Sequence, residues 1–224
     1  PTLLRRQRQM CIRDRSNDID LGFVIQARLG SHRLPGKALL YYSGSTVIGY
    51  LIDSLIENGF KKESICVATS SSHIDDILVN YINGIGIKVV RGDEKNVLSR
   101  YQKTAYDTGF KNIVRLTGDN PLIETLLIRH CISEHLKADV ALTTTRKIEN
   151  KTVTRYVPKG LSVDVINSEA LLSIDASKCD EYEKEHVIPF FFNNLNVKFI
   201  KDYVVKSDDM SIDTIEDYVR LFKV

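Results

Sequence analysis

The chain has 224 residues, of which 43% are hydrophobic and 27% are charged. This composition supplies enough apolar side chains for a full globular core and excludes disordered and low-complexity proteins. The formal net charge of +2 is too balanced to hold nucleic acid by bulk charge, and no apolar run is long enough to span a membrane. We therefore expect neither partner. Four cysteines without CxxC spacing are typical of the reducing cytoplasm, which is the expected location.

The first fifteen residues, PTLLRRQRQMCIRDR, show no helical or strand period. They lack the apolar region of a signal peptide, and a basic arm for nucleic acid is one interpretation. We favour another, because QRQMCIRDR resembles translated sequencing-adapter read-through. Residues 1–15 are thus predicted to be non-native or a disordered tail, and residues 16–224 to form a single domain. Without the five arginines and one aspartate of this segment, the net charge of +2 becomes −2.

Short apolar runs rich in β-branched residues alternate with helical patterns. The runs predict strands buried on both faces of a parallel sheet. The predicted strands are Phe23–Ala27, Ile65–Ala68, Ile87–Val90, Ile113–Leu116 and Val140–Leu142. The first predicted helix begins at Val47 and is capped by Thr46 or Ser45. The next two cover Ile74–Ile82 and Asn96–Thr108, and a fourth runs from the Asn120 cap to Leu136. This alternation indicates an α/β fold with a mostly parallel sheet.

The alternation ends in the polar segment Thr143–Lys159, after which we predict a partly antiparallel part of the sheet. Leu161–Ile166 and Val197–Val205 are predicted strands. Tyr182–Phe192 and Asp213–Phe222 are predicted helices.

The loop after the first predicted strand, in FVIQARLGSHRLPGKALL, carries the strongest functional signal. It holds glycines and three cations, Arg28, Arg33 and Lys37, where ligands bind at the carboxyl ends of parallel strands. Glycines let backbone N–H groups approach phosphate oxygens, and the cations supply countercharge. Neither the GxGxxG nor the GxxxxGK[ST] pattern is present. The loop therefore predicts a phosphate-bearing ligand, with a plain basic surface loop as the alternative.

The segment QARLGSHRLPGK resembles the nucleotide-binding loop of the cytidylyltransferase-like family of spore-coat polysaccharide biosynthesis. It is also similar to the loop of the acylneuraminate and 3-deoxy-manno-octulosonate cytidylyltransferases. Matching segments follow in order: ICVATS, VVRGDEKNVLSRY, VRLTGDNPLI, KGLSVDV, EKEHVIPF and SIDTIEDYVRLF. The resemblance implies a Rossmann-like nucleotide-diphospho-sugar transferase fold. It also implies CTP and a small sugar acid as substrates, transfer of CMP with release of pyrophosphate for surface polysaccharide biosynthesis, Mg²⁺ as cofactor, and a homodimer like many relatives.

Carried onto this sequence, the resemblance assigns Arg33, Lys37 and Asp119 to catalysis, with the two cations on the β- and γ-phosphates. Asp119 and Asp213 are the expected Mg²⁺ ligands, although Asp213 with Glu216 also fits a helix capping box. The expected nucleotide contacts are Gln26, Ala27, Arg28, Gly30, Ser31, Arg33, Lys37, Thr69, Ser70, Arg91, Arg100, Thr117 and Gly118. The expected acceptor-sugar contacts are Arg155, Tyr156, Lys159, Asp164, Glu185 and His186.

Several of these residues have plainer alternatives. Arg100 could be a solvated charge on its helix, His186 could be structural, and Asp75 and Asp76 are predicted to be solvated helix charges. A relative of the same fold that uses UTP or GTP, and a non-catalytic nucleotide-sugar binding module, are the alternative functions. The LPGK sequence of the loop argues against a GTP-using enzyme, and retention of both aspartates and both loop cations argues against a binding module.

Overall fold

The computed structural model describes residues 20–205 and 208–222 of the chain. Its strands are β1 (Leu21–Gln26), β2 (Tyr41–Tyr42), β3 (Ser45–Thr46), β4 (Ile65–Ser70), β5 (Lys88–Gly92), β6 (Asn112–Thr117), β7 (Leu142–Thr144), β8 (Arg146–Glu149), β9 (Thr152–Arg155), β10 (Asp164–Asn167) and β11 (Val197–Phe199). Its α-helices are α1 (Val47–Glu57), α2 (Asp76–Gly84), α3 (Val97–Thr108), α4 (Thr125–Ala138), α5 (Ser168–Leu172), α6 (Glu181–His186), α7 (Pro189–Asn194) and α8 (Ile215–Phe222). The segment predicted to be non-native, 1–15, lies outside the described residues.

Seven strands form the central sheet in the order β11-β7-β10-β6-β1-β4-β5. Strand β10 pairs antiparallel with both β6 and β7, and the other pairs in this sheet are parallel. The predicted α/β fold with a late antiparallel part is therefore confirmed. The two late strands are shorter than predicted, because β10 begins at Asp164 and β11 ends at Phe199.

Helices cover both faces of the central sheet. Helices α1, α2 and α4 pack on the face that buries Ile25 and Val67. Helices α3, α5 and α7 pack on the opposite face, where Val24 and Cys66 are buried. Successive strand residues point to opposite faces, so both positions of each pair must be apolar. This double burial explains the continuous apolar runs in the sequence. Within the described ranges, no helix is long and apolar enough to cross a membrane.

Two predicted helices differ from the structure. Helix α4 begins at Thr125, because the Asn120 side chain donates to Thr117 Oγ1 at 2.5 Å within a turn and does not cap a helix. The single helix predicted over Tyr182–Phe192 is divided into α6 and α7 at Val187, whose φ is 68°. A positive φ is unfavourable for a β-branched residue, and complete burial of the Val187 side chain offsets its cost.

The polar segment after β7 contains a hairpin that the sequence pattern did not reveal. Strands β8 and β9 pair antiparallel, with Glu149 opposite Thr152. Asn150 and Lys151 connect them, and both have positive φ values, 49° and 63°. Two consecutive left-handed residues are the geometry of a tight two-residue hairpin turn. Each strand of this hairpin has one apolar residue packed on the core, Ile148 and Val153, which is too few for the alternation that predicts a half-buried strand.

Candidate active site

The loop after β1 is held in place near its two ends, at Leu29 and Gly36. Gly36 N donates to the Leu29 carbonyl at 2.9 Å, and Gly36 has a φ of 72°, which favours glycine. The Leu29 N–H donates to Asp75 Oδ1 at 2.7 Å, and Ser70 Oγ donates to the other oxygen of Asp75. Asp75 is fully buried, so the prediction that it is a solvated helix charge is wrong. It ties the ligand loop to the end of β4.

Lys37 brings together the two aspartates that the sequence predicted to share a site. Its Nζ lies 2.5 Å from Asp119 Oδ2 and 3.1 Å from Asp213 Oδ1. It also donates to the Ile212 carbonyl at 2.9 Å. Asp119 follows β6 and Asp213 precedes α8, so residues from distant parts of the chain meet at one ammonium group. The two carboxylates are therefore close enough to act on one ligand.

Asp213 is bound by three cations. Besides Lys37, Arg33 Nη2 lies 2.7 Å from its Oδ1, and Lys159 Nζ lies 2.6 Å from its Oδ2. Burial alone would raise the pKa of Asp213, but hydrogen bonds from Lys159 and Lys37 lower it to about 2. The carboxylate is therefore ionised at neutral pH. Lys159 was predicted on the sugar side, and the structure places it beside the loop cations.

The capping role considered for Asp213 belongs to its neighbour. Thr214 Oγ1 accepts from the Asp217 N–H at 3.3 Å, and Asp217 Oδ2 accepts from the Thr214 N–H at 3.1 Å. This reciprocal pair is a capping box at the start of α8. The alternative in which Asp213 and Glu216 form the box is therefore wrong. The Asp213 carboxylate faces the cations instead.

A cavity of about 270 Å³ opens over these groups. Its lining residues are Gln26, Ala27, Arg28, Ser31, His32, Arg33, Lys37, Ala38, Thr117, Asp119 and Asp213. We call it the phosphate cavity, after the ligand that its cations predict. Gly118 lies directly behind it, where an added Cβ would come within 2.9 Å of the Ala27 Cβ. Only glycine lets β6 approach the β1 loop this closely.

A second cavity, of about 450 Å³, adjoins the first through Gln26, Arg28 and His32. Its other lining residues are Glu94, Lys95, Val97, Glu181 and Glu185. We call it the outer cavity. Arg28 Nη1 lies 3.4 Å from Glu94 Oε1, so an ion pair joins the β1 loop to the segment after β5. Among the predicted acceptor-sugar contacts, Glu185 is the one that lines this cavity.

Six residues predicted to contact the nucleotide line neither cavity, namely Gly30, Gly118, Thr69, Ser70, Arg91 and Arg100. Thr69 and Ser70 are fully buried at the end of β4. Arg91 donates to Asp76 Oδ1 at 2.6 Å and to the carbonyls of Ser70 and Ser72. Arg100 is also buried, with its Nη1 2.5 Å from the Asp93 carbonyl, and burial lowers its pKa. The alternative in which Arg100 is a solvated charge is therefore wrong. Ser70, Arg91 and Arg100 therefore bind neighbouring groups of the protein in this structure.

Asp164 lies inside the fold, although the sequence predicted it on the sugar side. Its Oδ2 accepts from Arg115 Nη1 at 3.1 Å and from Arg146 Nη2 at 2.5 Å. Its Oδ1 accepts from Thr144 Oγ1 at 2.6 Å. Burial would raise the pKa of this carboxyl, but the two guanidinium groups lower it. Asp164 thus neutralises one of the two positive charges that contact it.

The other predicted sugar-side residues are dispersed. The His186 ring lies 4.3 Å from the Tyr182 ring, and burial lowers its pKa. Arg155 is exposed on β9, and Tyr156 donates its backbone N–H to the Thr145 carbonyl. None of these three lines the phosphate or the outer cavity. Their predicted contact with a sugar stays a prediction.

Arg115 is a site residue that the sequence analysis missed. It interrupts the apolar run of β6, and a cation inside a buried strand is the signal that could have revealed it. Its Nη2 donates to Gln26 Oε1 at 3.3 Å, and its guanidinium lies 5.7 Å from the centre of the Tyr101 ring. Arg115 thus contacts a residue that lines both cavities.

The donor set of the phosphate cavity fits a divalent cation bound together with a phosphate ligand. No cluster of three or more His, Cys, Asp or Glu side chains suited to a metal occurs in residues 20–205 and 208–222. Mg²⁺ usually takes one or two carboxylates and completes its shell with water and substrate phosphate oxygens. Asp119 and Asp213 supply that number of carboxylates beside the loop cations.

Comparison with known proteins assigns the family. A model described as cytidylyltransferase matches residues 23–222, nearly the whole described chain. The chain belongs to the cytidylyltransferase family. It is therefore related to nucleotidyltransferases that transfer CMP from CTP in nucleotide-sugar synthesis.

Individual relatives agree with this assignment. The chain is 30% identical to the spore coat polysaccharide biosynthesis protein SpsF of Bacillus subtilis, covering 89% of this chain and 83% of that protein. It is 28% identical to a 3-deoxy-manno-octulosonate cytidylyltransferase of Francisella philomiragia, covering 91% and 84%. A solved cytidylyltransferase from Leptospira borgpetersenii superposes with a TM-score of 0.78 at 29% identity, covering 89% of this chain and 84% of that one.

Proposed function

We propose that this protein transfers CMP from CTP to a sugar acid in a Mg²⁺-dependent reaction that supplies surface polysaccharide biosynthesis. A hydroxyl oxygen of the acceptor attacks the α-phosphorus of CTP and loses its proton. The bond from that phosphorus to the bridging oxygen of the β-phosphate breaks, and pyrophosphate leaves. The observation that carries this proposal is the convergence of Lys37, Asp119 and Asp213 beside Arg33.

The loop cations are suited to bind the phosphates. Phosphoryl transfer depends on positioning and charge neutralisation more than on covalent help from the protein. Lys37 and Arg33 are now paired with carboxylates, and the β- and γ-phosphates of CTP can replace those partners. Positive charge held there stabilises the pyrophosphate as it leaves. Ser31 and Ala27, which also line the phosphate cavity, border the space for the rest of the nucleotide.

Asp119 and Asp213 are the residues that would hold Mg²⁺. When bound, the ion neutralises phosphate charge and orients the phosphate oxygens. The low pKa of Asp213 keeps its carboxylate ionised and available as a ligand. Lys37 releases oxygens of both carboxylates when it turns towards a phosphate. The chain's own part is to bring two carboxylates from distant segments to one point.

A sugar acid is the acceptor class that the cavities favour. The outer cavity adjoins the phosphate cavity, so an acceptor bound there lies next to the nucleotide. Behind Gln26, the guanidinium groups of buried Arg115 and half-buried Arg146 share the single carboxylate of Asp164, which leaves one positive charge without a partner carboxylate in this cluster. That charge attracts an anionic acceptor over a neutral sugar. The similarity to the Francisella enzyme, whose name contains a sugar acid, supports the same class.

Measurement of pyrophosphate release tests the proposal directly. The full chain is incubated with CTP, UTP or GTP, each crossed with 3-deoxy-manno-octulosonate, an N-acylneuraminate and a neutral hexose. We expect release with CTP and a sugar acid, and loss of release when EDTA removes the metal. Release with UTP or GTP but not with CTP would contradict the nucleotide assignment. Tight CTP binding without release for any acceptor would favour the non-catalytic binding module.

A further inference from the structure

Gln26 occupies the point where the phosphate cavity and the outer cavity meet. It is the last residue of β1 and lines both cavities. Arg115 of β6 is paired with Val24 of β1, two residues before Gln26, so Arg115 and Gln26 project from the same face of the sheet. This register brings the Arg115 guanidinium to 3.3 Å from Gln26 Oε1. The contact is built by the central strands and not by a loop.

Arg115 itself is held from several sides. Asp164, which is paired with Arg115 in the sheet, accepts from its Nη1 at 3.1 Å. The buried ring of Tyr101 lies below the guanidinium at 5.7 Å from its carbon to the ring centre. Arg146 binds the same Asp164 oxygen from the other side. With 8% of its surface exposed, Arg115 has little freedom to turn.

This arrangement decides which end of the Gln26 amide faces the cavities. A guanidinium group has five N–H donors and no acceptor, so its amide partner must present oxygen. The Nε2 group of Gln26 therefore points away from Arg115. Among the residues that the structure describes, Nε2 makes no hydrogen bond, and this nitrogen is not among the buried polar atoms without partners. Its two N–H bonds are therefore free for a ligand.

We propose that Arg115 is a positioning residue that fixes Gln26 as a hydrogen-bond donor to substrate at the junction of the two cavities. A ligand that binds at the junction of the two cavities must then present a lone-pair acceptor to Gln26. This inference rests on the proposed function, which supplies two substrates with such an atom. One is the carboxylate of the sugar acid. The other is N3 of cytosine, which accepts a hydrogen bond, whereas N3 of uracil carries a proton and donates one.

The charge behind Gln26 strengthens this donor. Donation from a cationic group to Oε1 polarises the amide and makes its N–H bonds better donors. The cluster of Arg115, Arg146 and Asp164 has one more cation than anion, so it favours a negatively charged acceptor atom. A buried amide held only for fold stability would need no such orientation towards open space.

Two variants of Gln26 separate donation from structure. Gln26→Glu keeps an oxygen for Arg115 but has no N–H group, and Gln26→Met removes both while staying neutral. Gln102→Glu is the matched control, because the Gln102 amide donates to the carbonyls of Leu171 and Ile174 away from both cavities. We expect Gln26→Glu to keep the melting temperature and to weaken substrate binding. We expect Gln102→Glu to lower the melting temperature and to leave substrate binding unchanged.

Calorimetry with CTP, UTP and 3-deoxy-manno-octulosonate, each alone, identifies the bound atom, and KM values follow for the active variants. If Gln26 donates to the cytosine base, both Gln26 variants lower the affinity for CTP at least tenfold and leave the affinity for UTP unchanged. If Gln26 donates to the carboxylate of the sugar acid, both variants lower the affinity for the sugar acid at least tenfold and leave the affinity for CTP unchanged. Arg115→Met should reproduce the same selective loss, and Arg115→Lys, which keeps a donor for Oε1, should restore part of it.

The proposal is overturned if neither variant changes any of these affinities. It is also overturned if Gln26→Glu alone has an effect and lowers the affinities for CTP and UTP equally, because that result would come from the added negative charge. Failure of the proposed function gives a different result. Wild-type protein would then release no pyrophosphate with any acceptor, while the three affinities still report on Gln26. Should Arg115→Met fail to fold, the Gln26 pair decides alone.

Discussion

Asp213 and Thr214 are adjacent in sequence but face different parts of the molecule. Thr214 forms the capping box of α8 with Asp217, whereas the Asp213 carboxylate contacts Arg33, Lys37 and Lys159. Helix formation and charge are thus carried by separate side chains. Substitutions at the two positions can therefore distinguish stability from activity.

We expect Asp213→Asn and Asp213→Ala to lose pyrophosphate release alike, by at least about 100-fold, since three cations lose their shared anion and a metal ligand is removed. Thr214→Ala is the matched control. It should keep most of the activity and lower the free energy of unfolding by about 1 kcal/mol, the usual effect of losing an N-cap. Thermal unfolding and steady-state kinetics measure both effects. Normal activity in Asp213→Asn would show that the Asp213 carboxylate has no role in the reaction.

Lys37→Ala should weaken CTP binding about 10- to 100-fold, because hydrogen bonds to charged groups contribute about 1.5–3 kcal/mol each. The exposed Lys61, which precedes β4, provides the control in Lys61→Ala. Isothermal titration calorimetry of both variants with CTP measures the difference. Equal CTP affinity in wild type and Lys37→Ala would show that this loop does not bind the phosphates.

Asp213 also predicts a pH dependence of stability. Its pKa in the folded protein is about 2, below the usual value of 3.8, so the ionised form stabilises the fold. This contribution is complete above pH ~4 and is lost as the pH falls through about 2. The difference in urea midpoint between wild type and Asp213→Asn should therefore shrink between pH 4 and pH 2. Parallel curves for the two proteins across this range would contradict the low pKa.

Asp164→Asn should destabilise the fold by about 3–5 kcal/mol, because Arg115 and Arg146 would be buried without their shared carboxylate. Urea unfolding followed by circular dichroism measures this loss. A direct role in sugar binding predicts something else, namely normal stability with a raised KM for the acceptor. Normal stability with a raised KM would instead indicate that Asp164 contacts the acceptor sugar.

Local patterns predicted the parallel strands to within a few residues, because burial on both faces leaves an unbroken apolar run such as Ile65–Ala68. They failed where one residue's surroundings decide the chain path. Asn120 before Pro121 has the pattern of a helix start, yet its amide binds Thr117 and the helix begins four residues after that proline. The division of a helix at Val187 depends on tertiary burial of its side chain, which no local pattern reveals.

The site shows the same division. Motifs that resemble the family named Lys37, Asp119 and Asp213, and these three do meet. Arg115 and Asp75 were not predicted as site residues, since each acts on a partner far away in sequence, Gln26 and Leu29. Sheet register sets the first contact and loop closure sets the second. Neither leaves a periodic signal along the chain.

The contact between Asp75 and Leu29 has a consequence for ligand affinity. Leu29 uses its N–H on Asp75 and its carbonyl on Gly36, so both ends of the β1 loop are immobilised before any ligand arrives. Ordering a residue's backbone costs about 1–2 kcal/mol of conformational entropy, which folding has already met for this loop. Preorganisation of this kind leaves more of the contact energy available as binding affinity. The buried aspartate thus contributes to affinity without touching the ligand.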